Sequence, residues 1–140
     1  MSVQQISVFI ENRPGQAFKP IKALANAGVD LCAISIADTK DFGILRMITR
    51  DNDKAIRILK EIGCTVTHTE LIGVVVDDAP GGLSGVLDVF KKEDINIEYL
   101  YSYLPKRESE AIMFFKVEQT ESAIKKLNKY KLKLVSAENI

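Results

Sequence analysis

The sequence predicts an α+β chain built from two βαββαβ units in tandem, each with an antiparallel sheet. Three observations carry this. The chain has 140 residues, enough for one domain or two very small ones. It is also written twice. Ile10-Glu11-Asn12-Arg13-Pro14-Gly15 recurs loosely as Val76-Asp77-Asp78-Ala79-Pro80-Gly81, and Val29-Asp30-Leu31 as Ile95-Asn96-Ile97, both at an offset of 66. Finally, strand-like and helix-like patterns follow one another in the same order in each copy.

Farther along, Ala55-Ile56 and Leu59 match Ala123-Ile124 and Leu127 at an offset of 68. The two extra residues fall where Pro105-Lys106-Arg107-Glu108-Ser109 makes a longer turn than Thr39-Lys40-Asp41. Length changes confined to a polar turn are what a structural repeat tolerates. The units are therefore set at 1–70 and 71–140. No Gly/Ser-rich linker separates them, and Thr69 to Gly73 runs straight from one into the next. A unit of roughly 70 residues is near the size at which a single core is marginal. The two halves are accordingly expected to pack as a pseudo-symmetric pair.

In the first half, Val3 to Glu11 is apolar and β-branched enough for a strand, and Pro14-Gly15 breaks it. Ala17, Phe18, Ile21, Leu24 and Ala25 follow at helical spacing up to Gly28. Pro20 falls inside this pattern. Mid-helix it would cost about 3 kcal/mol, so it is expected in the first turn, where the missing N–H matters less. Leu31 to Ala37 and Ile44 to Thr49 read as a hairpin around Lys40-Asp41. Asp51 or Asn52 can cap a second helix carrying Ile56, Leu59 and Ile62, which Gly63 stops. Thr65 to Thr69 is a β-branched strand. In the second half, Leu71 to Val76 is a strand, and Leu83, Val86, Leu87 and Phe90 form one apolar helix face. Ile95 to Leu104 and Ala111 to Val117 are the next two strands. Thr120 can cap a helix carrying Ile124 and Leu127, and Leu132 to Ser136 closes the unit.

Composition removes several function classes. Hydrophobic residues are 46% and charged residues 27% of the chain, values of a folded globular protein. Nineteen basic residues balance nineteen acidic ones, which argues against nucleic acid or an anionic membrane as partner. No apolar run is long enough to span a bilayer. The N-terminus lacks a basic region followed by a long apolar one, so the cytoplasm is the expected location, with Cys32 and Cys64 reduced.

Enzyme constellations fail in turn. The single histidine, His68, would have to serve any nucleophilic triad and reads instead as an ordinary strand residue. Cys32 and Cys64 have apolar neighbours and are too few for a metal site. Asp51-Asn52-Asp53 lacks the rest of a calcium loop. Gly81-Gly82-Leu83-Ser84-Gly85 has no lysine to meet a phosphate. The lysine-rich stretch from Lys125 to Lys133 keeps its apolar period and reads as a solvated face. Met113-Phe114-Phe115-Lys116-Val117 lacks the glycine-and-aromatic signature of RNA-recognition modules. No catalytic residue, metal or cofactor is expected.

One feature is doubled. Both halves place Pro-Gly directly after the first strand and before the first helix. A helix start offers unpaired N–H groups and the positive end of its dipole, which suits a carboxylate, and glycine lets a ligand approach the backbone.

These loops carry a resemblance to the ACT domain family. Asn12-Arg13-Pro14-Gly15 and Asp78-Ala79-Pro80-Gly81 resemble the family's D/N-x-P-G loop. Gly28-Val29-Asp30-Leu31 and Asp94-Ile95-Asn96-Ile97 resemble its G-[IV]-N-[IV] entry to the second strand. The resemblance covers nearly the whole chain as two copies, with nothing left over for a catalytic domain. It implies a ferredoxin-like fold and a non-catalytic, regulatory role as a sensor of small ligands, usually free amino acids or similar small carboxylates. In the family, ligands commonly sit between two ACT units, the first-strand loop of one facing the second strand of the other. The sequence departs from the pattern at Asp30, where Asn is common, and sets Ala79 opposite Arg13 and Gly82 opposite Gln16, so two sites would differ.

On that basis a ligand carboxylate is expected at Gly15-Gln16-Ala17 or Gly81-Gly82-Leu83, with Arg13 adding a charge-assisted bond in the first loop alone. Its ammonium group needs acceptors from Asn12 or Asp78 and from Asp30 or Asn96. Its side chain would lie against Leu31, Cys32 and Ala33, or against Ile97, Glu98 and Tyr99, of the opposing half. The competing reading is that Asn12 and Asp78 only cap their helices. A different class of function is a protein-interaction module without a ligand: Tyr99, Tyr101 and Tyr103 alternate along one strand, with Ala33, Ser35 and Ala37 as their counterparts in the other copy, a stripe that reads either as core packing between the halves or as half of a binding surface. The sequence leaves open a homodimer, the regulated enzyme partner, and which amino acid binds.

Overall fold

The computed structural model describes residues 2–38, 40–103 and 109–140. The elements run β1 (Val3–Glu11), α1 (Phe18–Asn26), β2 (Leu31–Asp38), β3 (Phe42–Thr49), α2 (Asn52–Glu61), β4 (Thr65–Asp77), α3 (Gly82–Lys92), β5 (Tyr99–Tyr103), β6 (Glu110–Lys116), α4 (Thr120–Leu127) and β7 (Lys133–Val135). A short 3₁₀ turn, Ala137–Asn139, follows. The chain divides into a first unit, Gln4–Thr69, and a second made of Glu70–Ile140 with Met1–Val3. These are two tandem βαββαβ ferredoxin-like units in an α+β fold.

In the first unit the strand order is β4-β1-β3-β2. β1 and β3 are antiparallel with Ile6 opposite Met47 and Val8 opposite Leu45. Alternation puts these four on one face. Leu24 of α1 and Ala55 and Leu59 of α2 close over them to make the core. In the second unit the order is β7-β4-β6-β5. Ile72, Val74 and Val76 of β4 stand opposite Phe115, Met113 and Ala111 of β6. Val86 and Phe90 of α3 and Ala123, Ile124 and Leu127 of α4 cover that face. The Phe90 and Phe115 rings lie with centroids 4.6 Å apart.

Pro20 occupies the third position of α1, in its first turn as expected, and is buried with Leu24. Of the expected stripe, Ile21 and Leu24 pack on the core, whereas Phe18 is 67% exposed and Ala25 lies on the solvent side. Asp51 caps α2, its carboxylate accepting the Lys54 N–H at 3.1 Å. Asn52 has a separate task. It accepts the Thr49 hydroxyl at 2.7 Å and donates to the Gln4 carbonyl at 3.0 Å.

Several sequence expectations need correction. The strands expected at Thr65–Thr69 and Leu71–Val76 are one continuous strand of 13 residues, because nothing in Glu70-Leu71 breaks extended backbone. The strand expected from Ile95 begins only at Tyr99. Asp94 has φ 55 and turns the chain out of α3. Ile95 and Ile97 then pack against the helix-side core, so the chain meets β6 only when the Glu98 N–H donates to the Lys116 carbonyl at 2.9 Å. Leu104, the Pro105–Glu108 part of the longer turn, and Thr39 of the shorter one lie outside the described residues. Thr120 does not cap α4: the cap position is Gln119, and the Thr120 hydroxyl donates to the Glu70 carbonyl at 3.3 Å. The last strand is Lys133–Val135, shorter than Leu132–Ser136.

Candidate ligand-binding loops

Each first-strand loop is shaped by a glycine in the left-handed region, Gly15 at φ 82 and Gly81 at φ 90. A side chain there is strained, which accounts for the glycine in both turns. The first loop is tied to the β2–β3 connection. The Asn12 N–H donates to the Asp41 carbonyl at 3.1 Å, and the Asn12 amide donates to the Lys40 carbonyl at 3.4 Å. Asn12 therefore does not cap α1, whose first turn has no side-chain cap and starts behind Ala17. Arg13 turns to Glu11 at 2.6 Å, both side chains exposed. The Gln16 N–H is taken by the Arg13 carbonyl at 3.3 Å.

The second loop enters its helix sooner. Gly81 is the cap position of α3, again with no side-chain cap bond, so Asp78 does not cap either. The Asp78 N–H donates to the Ser109 carbonyl at 2.6 Å and the Gly82 N–H to the Ala79 carbonyl at 3.0 Å. Asp78, Ala79 and Leu83 line a hollow of about 480 Å3 together with Pro80, Ser102 and Met113. Ser102 and Met113 were not legible as neighbours of the loop. They are a cross-strand pair of the β5–β6 hairpin, and only that register brings them to Asp78.

The remaining candidates lie at the other end of each unit. In the first, Asp30 sits where β3 ends: its carbonyl accepts the Arg50 N–H at 3.1 Å, and its carboxylate pairs with the Arg50 guanidinium at 3.0 Å. Asn12 and Asp30 are thus separated by the eight residues of β3, about 25 Å of strand. Leu31 is half-buried, and Cys32 and Ala33 are buried. Burial pushes the Cys32 thiol pKa up, partly opposed by Arg50, while Asp30 adds to the rise. In the second unit, Asn96 borders a hollow with Val117, Gln119 and Ser122. The seven residues of β6, about 20 Å of strand, lie between it and Asp78. Ile97 is half-buried, Glu98 is exposed and pairs with Lys116 at 3.0 Å, and Tyr99 is half-buried. Tyr99, Tyr101 and Tyr103 do share one face, that of Phe114, whose ring centroid is 5.8 Å from that of Tyr101.

The geometry has a direct consequence. Within one unit the loop and the second-strand entry are too far apart to touch one amino acid, which is only a few ångströms across. At the first strand entry the acceptor is already engaged, so a ligand ammonium would have to compete with Arg50 for Asp30.

The family model for an ACT domain pair matches residues 1–140. The chain belongs to the ACT domain family. This ACT pair is also similar to the crystal structure of protein BT0572 from Bacteroides thetaiotaomicron, at 33% identity and TM-score 0.91 over 99% of this chain and 95% of that one. It shares its fold with the regulatory subunit of aspartate kinase from Thermus thermophilus in a ligand-free form, at 19% identity and TM-score 0.63 over 90% of this chain and 91% of that one. The same holds for the aspartokinase alpha and beta subunits, at 20% identity and TM-score 0.59 over 98% and 93% of the two chains. A search of the curated proteins finds no match. Among the described residues of the ACT pair, no group of three His, Cys, Asp or Glu side chains gathers to hold a metal ion. No helix among them is long and apolar enough to cross a membrane.

Proposed function

We propose that the chain is a non-catalytic regulatory protein that binds a free amino acid or a similar small carboxylate. In this reading residues 1–70 and 71–140 are its two ACT domains, and it works in the cytoplasm on an enzyme partner. The carrying observation is the pair of uncapped helix starts, each behind a Pro-Gly turn with its glycine at positive φ. Such a turn leaves backbone N–H groups and the positive helix end open to an anion. The similarity to a protein named as a regulatory subunit of aspartate kinase supports the regulatory half of the proposal. The carboxylate would meet Gly15, Gln16 and Ala17 or Gly81, Gly82 and Leu83. Asn12 or Asp78, with Asp30 or Asn96 from a facing ACT unit, would accept from the ammonium. Leu31, Cys32 and Ala33, or Ile97, Glu98 and Tyr99, would bear on the ligand's side chain. Since the Gln16 and Gly82 amides already have acceptors in their own turns, Gly15, Ala17, Gly81 and Leu83 are the stronger candidates in each set.

Thermal melting against a panel of free amino acids tests this. A ligand at 100 times its dissociation constant should stabilise the fold by about 2.7 kcal/mol. Asn12→Ala and Asp78→Ala should then be titrated with whichever amino acid raises the melting temperature. A loss above about tenfold in one of them locates the site, while unchanged affinity in both removes these residues from it. An interaction module without a ligand is the competing reading, favoured by Ile34 and Ile36 of β2, which are 46% and 54% exposed. A panel in which no amino acid moves the melting temperature decides for it.

A further inference from the structure

We infer that the first unit holds a second binding site, an amphipathic cleft for a small molecule with an apolar body and a carboxylate. This inference is independent of the loop site. The cleft measures about 630 Å3, inside the ~300–1,000 Å3 range of small-molecule sites. It is bounded by the end of β1, by α1, and by the turn from α2 into β4. Of the loop residues discussed above, only Gln16 reaches it.

The fold builds this hollow twice, and the two copies differ. The matching positions of the second unit, among them Val75, Gly82, Val86 and Leu132, line a hollow of only about 260 Å3. The helix there carries Ser84, Gly85 and Asp88 where the first unit has Phe18, Lys19 and Lys22. Phe18 is 67% exposed and Ile62, across the cleft on the α2–β4 turn, 48% exposed. Core packing therefore explains neither, and the second unit forms the same element with Ser84 in the place of Phe18. Exposed apolar side chains gathered at a concave surface mark a binding site.

Charge selects the ligand. Lys19 and Lys22 stand three apart on α1, on one face, and among the described residues neither is in an ion pair. The lining acid, Glu11, is held by Arg13. The cleft thus combines apolar lining from Phe18, Pro20 and Ile62 with the two lysines, a pairing complementary to an alkyl or aryl carboxylate and unfavourable to an amine. In the second unit the lining lysines Lys131 and Lys133 are offset by Asp77 and Glu110.

The full chain, labelled for amide NMR, should be titrated with sodium octanoate, octanol and octylamine. Octanoate is expected to shift amides of residues 16–26 and 62–65 saturably and to bind about fivefold tighter than octanol, with octylamine weakest. The double variant Phe18→Ser/Lys22→Asp carries the second unit's residues at exposed positions. It should keep the wild-type melting temperature and bind octanoate at least tenfold more weakly. Asn12→Ala should bind octanoate like wild type. The inference is overturned if octanoate produces no saturable shift, if octylamine binds as well as octanoate, or if the double variant binds unchanged. Concentration-dependent self-association that protects the same amides would also overturn it, since a second copy would then occupy the cleft.

Discussion

The α-carbon of Gly82 packs against the carbonyl of Asp77 where β4 hands over to α3, leaving no room there for a Cβ. Three residues on, Gly85 faces open space. The same substitution should therefore have opposite signs at the two positions. Gly82→Ala must displace backbone and is expected to cost more than about 2 kcal/mol. Gly85→Ala adds a helix former at no steric cost and should stabilise by about 0.5–1 kcal/mol. Urea unfolding of the two variants beside wild type checks both.

Asp94 closes α3 in a left-handed conformation, φ 55. Its N–H donates to the Lys91 carbonyl at 3.1 Å, and the next N–H, of Ile95, reaches back to Phe90 at 2.9 Å. After α1 the same pair of bonds is made by Gly28 and Val29. Asp94→Gly relieves the strain while keeping the bonds, and a gain of about 0.5–1 kcal/mol is expected. The urea midpoint should rise with an unchanged slope.

Asp51 is the cap position of α2, whereas Thr120 is the first residue of α4, one place further on, and of the two Asp51 alone bonds to the helix backbone. Asp51→Ala should cost about 1 kcal/mol, the usual loss of a cap. Thr120→Ala loses only an exposed bond to the Glu70 carbonyl and should cost under about 0.5 kcal/mol. Equal losses would mean that capping does not distinguish these two helix starts.

Burial pushes the thiol pKa values of both Cys32 and Cys64 above the ordinary 9.0. The sign follows from linkage. Above that pH the unfolded chain releases its thiol protons first, so the contribution to stability is complete below about pH 9 and shrinks as pH rises through the folded values. The difference in urea midpoint between pH 7 and pH 10 should be smaller in Cys32→Ala/Cys64→Ala than in wild type. At pH 8 a thiol reagent should modify half-buried Cys64 before buried Cys32.

The repeat, the element order and the core were readable because they rest on local signals. Val86 and Phe90 on one helix face, or Asp51 before Asn52, need no knowledge of the rest of the chain. The misses share a cause. Ile95 and Ile97 have strand-like spelling, but Asp94 turns them into a core before they can pair. Thr120 has the chemistry of a cap, but the Glu70 carbonyl claims its hydroxyl. Ser102 and Met113 join the second loop through strand register, which no single segment encodes. Within the candidate site, the Pro-Gly turns were legible because positive φ demands glycine. The pairing of Asp30 with Arg50 was not, since 20 residues separate them in the chain.

Strand β4 serves both units without a break. Val66 packs on the first core and Ile72, Val74 and Val76 on the second, all at even positions of one 13-residue strand. Extended chain alternates its side chains with a period of two. An insertion or deletion of a single residue inside either half of β4 would therefore turn that half's core residues to the other face of its own sheet. Each unit thus reads its own part of β4 by parity, so length changes inside that part are tolerated only in pairs of residues, a rule on its evolution that a loop would never impose.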